Sequence, residues 1–441
     1  MATSATTKRR AFGVSTVFGV ALLLAACATS SSGQSPSGNA FSPHASVRGQ
    51  HITVLLPYPV SQKILKQFTQ QTGVTLTYET AGWDNVKAKL IVANEAQTYI
   101  ADVTEFDWSF TGQFGGGGWS EPLESALGPT LIKDLGNVNR AFDTKGHTYA
   151  ACYSNDYRFP IYNKKDFAAA GIKQFPSTFA ELASALNTLK RSKAAPYAMS
   201  LPLGATEGGV TPWYLLTLAM GGHLFNDKNQ PVFGAPGSPA YKALQFEITA
   251  RKNGWISPGS VTLDDTAALN NFEAGDAALM LAAGPGNLPL ANDPSQSKIA
   301  PNAQAALMPG VSGPGGSFGL PEGLAIPVTA QHKNAALAFV KWWLEPKIQV
   351  ELYKSAGFLP CRISVLQGLA RQGLLQGSPA ALQEISHVEP LFPAGTPIWY
   401  SKFDTEAQEL INAANRGTMS VQQAIQKLSS DTAKLAGGSG S

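Results

Sequence analysis

The sequence predicts an α/β protein built in two lobes. Short apolar segments with strand character alternate with segments of helical spacing, which argues for parallel βαβ units. The folded body, residues 50–435, also exceeds the roughly 250 to 300 residues at which a single core stops growing. Charged residues are only 14% of the chain against about 25% in typical soluble domains, so a large buried interior with apolar or neutral polar clefts follows.

The elements follow in order. Residues 52–56 are a continuous apolar run that reads as a buried strand, after which Val60, Ile64, Leu65 and Phe68 recur at helical spacing and stop at Gly73. Val74, Leu76 and Tyr78 alternate as a second strand, residues 86–93 read as a helix, and 100–104 as a third strand. Pro176, Ser177 and Thr178 open a helix over 179–189. Pro212 suits the first turn of an apolar helix over 213–220 that ends at Gly221 and Gly222. Helices are predicted at 239–252, 264–274 and 334–344, strands at 277–281 and 324–328, and helix again from Lys402 before the chain fades into a tail at 436–441.

The N-terminus carries an address. Lys8, Arg9 and Arg10 precede an apolar stretch over 12–24 that ends in Ala25, Ala26 and Cys27, the pattern of a secretory signal peptide over 1–26. The stretch is shorter than the about 20 apolar residues that span a bilayer. A cysteine directly after small residues resembles a lipobox, so the mature chain is expected to start at a lipidated Cys27, anchored at the extracytoplasmic face of the cell membrane. Arg9, Arg10 and Phe12 also resemble a twin-arginine signal, which leaves the export route open. Residues 27–49, rich in Ser, Gly and Ala, read as a flexible tether.

Without the signal the chain balances 30 basic against 30 acidic residues, which speaks against nucleic acid as a partner. Its six histidines are scattered, so no metal site and no cofactor is expected. Beyond Cys27 only Cys152 and Cys361 remain, an even pair that an oxidising compartment could bond or leave free. Gly315, Gly316, Ser317, Phe318 and Gly319 spell a nucleophile-elbow string, but Pro314 and Pro321 flank it in place of a strand and a helix.

Several patterns coincide in order. The run 155–167 (NDYRFPIYNKKDF) with Gly171 and Pro176, the passage 271–280 (NFEAGDAALM), Met308-Pro309-Gly310, residues 323–326 and 336–343, and Gly357 to Pro360 with Arg362 together resemble family 1 extracellular solute-binding proteins, the carbohydrate-binding lipoproteins of bacterial ABC importers. The resemblance implies a type II periplasmic-binding-protein-like fold, in which two α/β lobes joined by a hinge close over a ligand. Lobe 1 would take 50–151 with 302–355, and lobe 2 would take 152–301 with 356–435. Cys152 and Cys361 would then flank the hinge as a disulfide. The implied function is capture of a di- or oligosaccharide by a monomeric, non-enzymatic receptor that hands it to ABC permease subunits. A receptor for another solute, such as glycerol 3-phosphate, and a secreted hydrolase using Ser317 are the alternatives.

A sugar presents ring-edge hydroxyls and apolar C–H faces, so its cleft needs aromatic platforms beside carboxylates, amides and Arg. By position in the resemblance, Asp107 and Trp108 contact the ligand, Trp83 does so from the loop after the second strand, and Asn155, Asp156 and Arg158 do so from the first crossing. Trp213 and Tyr214 open a second-lobe helix facing the cleft, Glu322 offers a further acceptor, and Trp399 stands in a late loop. Gly284 occupies a place where relatives often continue into a Trp; here Pro285 and Gly286 follow it, so that stacking contact is in doubt.

Overall fold

The computed structural model describes residues 41–438, apart from 43–44 and 378. Strand β1 (His51–Leu56) leads through helix α1 (Gln62–Thr72) to β2 (Thr75–Thr80), which pairs with β1 in parallel from His51 opposite Thr75 to Leu56 opposite Thr80. Helix α1 buries Ile64, Leu65 and Phe68 and ends at Gly73, where a φ of 73° gives the left-handed cap that glycine adopts freely. Helix α2 (Trp83–Glu95) then returns the chain to β3 (Val103–Asp107), parallel to β1 on its other side. The third strand thus starts three residues later than its apolar run predicts, and Asp107 becomes its last residue.

The chain crosses to a second sheet after β4 (Ala151–Ser154). That sheet is formed by β5 (Phe159–Asn163), β6 (Leu279–Ala283) and β7 (Ala303–Ala305), with β5 central and antiparallel to both neighbours. Between β5 and β6 lie a helix at Phe179–Ser192, closed by a Thr178/Glu181 capping box, then α3 (Glu207–Ala219) and α4 (Pro239–Lys252). After β7 come β8 (Ser317–Phe318) and β9 (Glu322–Ala325), which inserts antiparallel between β3 and β4, so the first sheet reads β2-β1-β3-β9-β4. Strand β10 (Val388–Glu389) pairs with β8, and α5 (Tyr400–Arg416) and α6 (Val421–Gly438) pack together and against α4. Strands β3, β6 and β9 are buried at every residue, as sheet interiors covered on both faces require. A cluster around Phe159, Ile161, Phe272 and Met280 forms a core of its own beside the larger one.

Three chain segments run between the sheets side by side. Asn155 donates its backbone N–H to Leu359 O at 2.9 Å, and Tyr157 forms an isolated antiparallel bridge with Gly319. Cys152 on β4 and Cys361 are disulfide-bonded beside these crossings, with Cα atoms 5.8 Å apart. The sequence places the return crossing near residue 302 and Cys152 in lobe 2. The pairing of β7 with β5 and of β8 with β10 moves the return to the stretch around Gly319, and Cys152 lies on β4 of the first sheet.

Two further expectations change. Pro212 lies well inside α3, because Thr206 caps the helix by accepting from Gly209 N and Glu207 fills its first turn, so the helix starts earlier than the proline suggests. Phe41 is buried in the core and Ser42 N donates to Asn334 Oδ1 at 2.9 Å, so the tether predicted to run to residue 49 gives way to the folded body by Phe41. Likewise α6 continues through residues 436–438, which the sequence assigns to the tail. The signal peptide, Cys27 and residues 439–441 lie outside the described residues. No helix among those described is long and apolar enough to cross a membrane.

Candidate ligand-binding site

The C-terminal end of β3 delivers Asp107 and Trp108 to the junction of the two sheets. Asp107 accepts the Ser109 N–H at 2.8 Å and so caps the single 3₁₀ turn Trp108–Phe110, yet its buried carboxyl also enters a polar array. Burial raises it to about 7, against the pull of the Ser109 hydrogen bonds and of Lys87. Trp108 is nearly fully buried, edge-on to Phe318 at 5.3 Å and to Tyr400 at 5.0 Å between centroids.

Lys87 is the hub of this array. It lies one turn after Trp83 on the same face of α2, and its ammonium sits 4.9 Å from the Trp83 ring centroid and 5.8 Å from that of Phe110. From there it reaches Glu207 Oε2, at 3.4 Å, on the first turn of α3. Tyr400 donates to Glu207 Oε1 at 3.4 Å, while Tyr214 and Gln408 donate to Asp404 at 3.1 and 2.7 Å. Burial raises Glu207 well above the usual carboxylate range, helped by the charge of Asp404, and raises Asp404 against the attraction of Lys87. Burial pulls Lys87 down, but Glu207, Asp404 and Asp107 outweigh it and its ammonium is held more firmly than usual.

A second group stands beside the first at the crossings. Asp156 and Arg158 form an ion pair, and Glu322, opposite Asp107 in the β3–β9 register, accepts the Tyr58 hydroxyl at 2.6 Å. Two residues before Asp107 on the same face of β3, Glu105 accepts the Tyr153 hydroxyl at 2.7 Å. Burial raises Glu105, Asp156 and Glu322 alike, with neighbouring carboxylates adding to the effect at Glu105 and Glu322. Gly284 abuts this group: a Cβ there would lie 2.8 Å from both Asp156 Oδ1 and Arg158 Nη1. A side chain at position 284 itself would therefore have to displace the ends of that ion pair.

The structure thus brings Trp83, Asp107, Trp108, Asp156, Arg158, Gly284 and Glu322 to one junction. Trp83 stands at the first position of α2 and not in a loop. Trp213 and Tyr214 are fully buried in mid-helix, a consequence of the earlier start of α3. The Trp213 indole donates to Ala240 O and packs on Phe233, so it is a core residue, whereas Tyr214 touches the array through its hydroxyl alone. Trp399 packs among Phe225, Phe392 and Phe403, leaving the neighbouring Tyr400 to serve the junction. Asn155 holds the crossing through its backbone. Ser317 is fully buried on β8 and its hydroxyl donates to Arg158 O, so the elbow string builds a strand and not an exposed nucleophile.

Lys87, Glu207, Asp404, Tyr400, Tyr58 and Glu105 escape the sequence reading. Two of them carried a usable signal: Lys87 is four residues after Trp83, and Glu105 is two before Asp107 on a strand. Glu207 and Asp404 carry none, because only the packing of α3 against α5 brings them together.

Comparison with known proteins bears on the fold and the family. Over 340 residues the chain is 26% identical to the mannitol-binding protein of Pseudomonas aeruginosa, covering 73% of this chain and 77% of that protein. It is 26% identical over 330 residues to the diacetylchitobiose-binding protein of Streptomyces coelicolor, covering 72% of each. Among solved structures, an ABC transporter solute-binding protein from Agrobacterium radiobacter K84 in complex with ribitol superposes with a TM-score of 0.78 at 21% identity, over 89% of this chain and 100% of that one. One from Thermotoga lettingae bound with α-D-tagatose gives 0.77 at 21% identity, over 88% of this chain and 100% of that one. The fold is therefore that of the type II periplasmic binding proteins, with two α/β lobes about a hinge. The profile of the bacterial extracellular solute-binding proteins matches residues 56–350, and the chain belongs to that family.

Proposed function

We propose that this protein is an extracytoplasmic receptor that captures a carbohydrate or polyol between its lobes and delivers it to the permease of an ABC importer. One observation carries the reading: the lobe junction combines aromatic faces, from Trp83, Phe110 and Trp108, with buried carboxylates that accept hydrogen bonds, and it is closed across by Lys87 and Glu207. A polyhydroxylated ligand supplies the donors that such carboxylates need and the C–H faces that stack on aromatic rings. Closure is favoured by ligand because only the closed state lets both lobes touch it.

The relatives named for mannitol and diacetylchitobiose, and the structures holding ribitol and tagatose, support this ligand class. A phosphate-bearing solute fits less well, since the junction sets six carboxylates against the two cations Lys87 and Arg158. In this proposal Cys27 carries the lipid anchor, the protein acts as a monomer, and the lobes divide at the crossings near 155–158, 319–321 and 357–361. Calorimetry and thermal-shift titration with mannitol, ribitol, tagatose, maltose and di-N-acetylchitobiose test it. Stabilisation by at least one is expected, and none from any of them would refute the carbohydrate reading.

A further inference from the structure

Of the six carboxylates at the junction, Glu105 alone keeps a buried oxygen without a hydrogen-bond partner. The residue is 0% exposed; its Oε2 accepts the Tyr153 hydroxyl at 2.7 Å, and its Oε1 meets no donor. A buried polar atom in that state carries an uncompensated desolvation cost, which a hydrogen-bonding group brought to it removes. Its surroundings follow from the strand register. Glu322 stands opposite Asp107 and Leu324 opposite Glu105, so Glu105 and Glu322 are diagonal neighbours on one face of the first sheet. Tyr153 is the extra residue of a bulge on β4, between Ser154 opposite Glu322 and Cys152 opposite Gly323, and the bulge turns its hydroxyl to Glu105. Phe358 on the last crossing ties the group together: its ring lies 5.6 Å from that of Tyr153 and 5.8 Å from that of Tyr58, whose hydroxyl goes to Glu322. Strands and a crossing form three walls of this cup. Tyr58 forms the fourth, 38% exposed on the segment between β1 and α1, and so marks the side open to a ligand.

We propose that Glu105 is a ligand-contacting, specificity-determining residue, whose free oxygen pairs with one hydroxyl of the bound carbohydrate or polyol as that hydroxyl enters past Tyr58. This rests on the carbohydrate reading above and narrows it to ligands that carry a hydroxyl at that one position. A hydroxyl completes Glu105 in either protonation state, because it donates to a carboxylate and accepts from a carboxylic acid. It suits the place better than a metal ion, since among the described residues no group of His, Cys, Asp or Glu is arranged to hold a metal.

Fluorinated probes test this by calorimetry. Whichever of mannitol, ribitol, tagatose, maltose and di-N-acetylchitobiose binds the unaltered protein is compared with its analogues in which each hydroxyl in turn is replaced by fluorine. One replacement is expected to weaken binding about tenfold or more, because it leaves Glu105 unpaired again. The double variant Glu105→Leu with Tyr153→Phe removes both partners of the buried hydrogen bond together, and in it that ratio should fall to about one, while Tyr153→Phe alone keeps it. If every ratio in the double variant equals that of the unaltered protein, the Glu105 proposal is overturned and the carbohydrate reading stands. If none of these compounds binds, both fall together. Should the double variant not fold, a crystal structure of the unaltered protein with the same compound decides: a ligand hydroxyl within hydrogen-bond distance of Glu105 Oε1 is expected, and a water or no contact there overturns the proposal.

Discussion

Lys87 Nζ lies 3.4 Å from Glu207 Oε2, and this contact joins α2, which packs on the first sheet, to α3, which packs on the second. The pair is mostly buried, with side chains 16% and 13% exposed, so its attraction escapes much of the screening that makes surface pairs weak. It closes the cleft from within the protein. Replacing Lys87 with Met keeps much of the packing on Trp83 and removes the charge. The expected result is a larger radius of gyration for the ligand-free protein in small-angle X-ray scattering; unchanged scattering would mean that Lys87 does not hold the lobes together.

Trp83 and Trp213 test the proposed division between ligand contact and core packing. Trp213→Ala removes a fully buried ring whose indole donates to Ala240 O, and should cost about 3–5 kcal/mol of stability in denaturant titration. Trp83→Ala strips a half-buried platform at the junction, so affinity should drop about tenfold or more, about 1.4 kcal/mol, with a smaller stability loss. The opposite pattern would exchange their roles.

Gly284→Ala tests why that position carries no side chain. The new methyl would press on Asp156 Oδ1 and Arg158 Nη1 and push the pair apart. Overpacking of this kind typically costs about 1–3 kcal/mol. A melting temperature and affinity equal to those of the unaltered protein would show that the pair yields without cost.

Glu247 predicts a pH dependence away from the site. It is fully buried on α4, accepts only Asn415 Nδ2 at 2.7 Å, and burial raises it to about 8 against that hydrogen bond. In the unfolded chain a glutamate titrates near ~4.3. Between those values the unfolded state loses its proton first, so stability falls as pH rises, by at most about 1.4 kcal/mol per unit, and levels off above about pH 8. Glu247→Gln should flatten this slope in urea titrations across the same range. An unaltered slope would assign the dependence to other groups.

What was legible follows from how local each signal is. Helices α1 and α4 emerge from apolar spacing and from Ser238-Pro239, which set cap and first turn within a few residues. Asp107, which the sequence proposes as a site residue, caps the 3₁₀ turn Trp108–Phe110. The start of α3 was misread because a proline usually marks a first turn, while here Thr206 caps the helix earlier. Glu207 and Asp404 were invisible for a different reason: an isolated acid in a sequence carries no sign of burial, and theirs comes from helices nearly two hundred residues apart in the chain.

The bond between Cys152 and Cys361 turns the intervening chain into a covalent ring that contains all three strands of the second sheet. A protease that nicks an exposed loop anywhere inside that ring opens it without releasing a fragment, so under non-reducing conditions the cut protein keeps its full mass. For a protein at work outside the cell, a single cleavage between those cysteines leaves both flanks of the hinge linked.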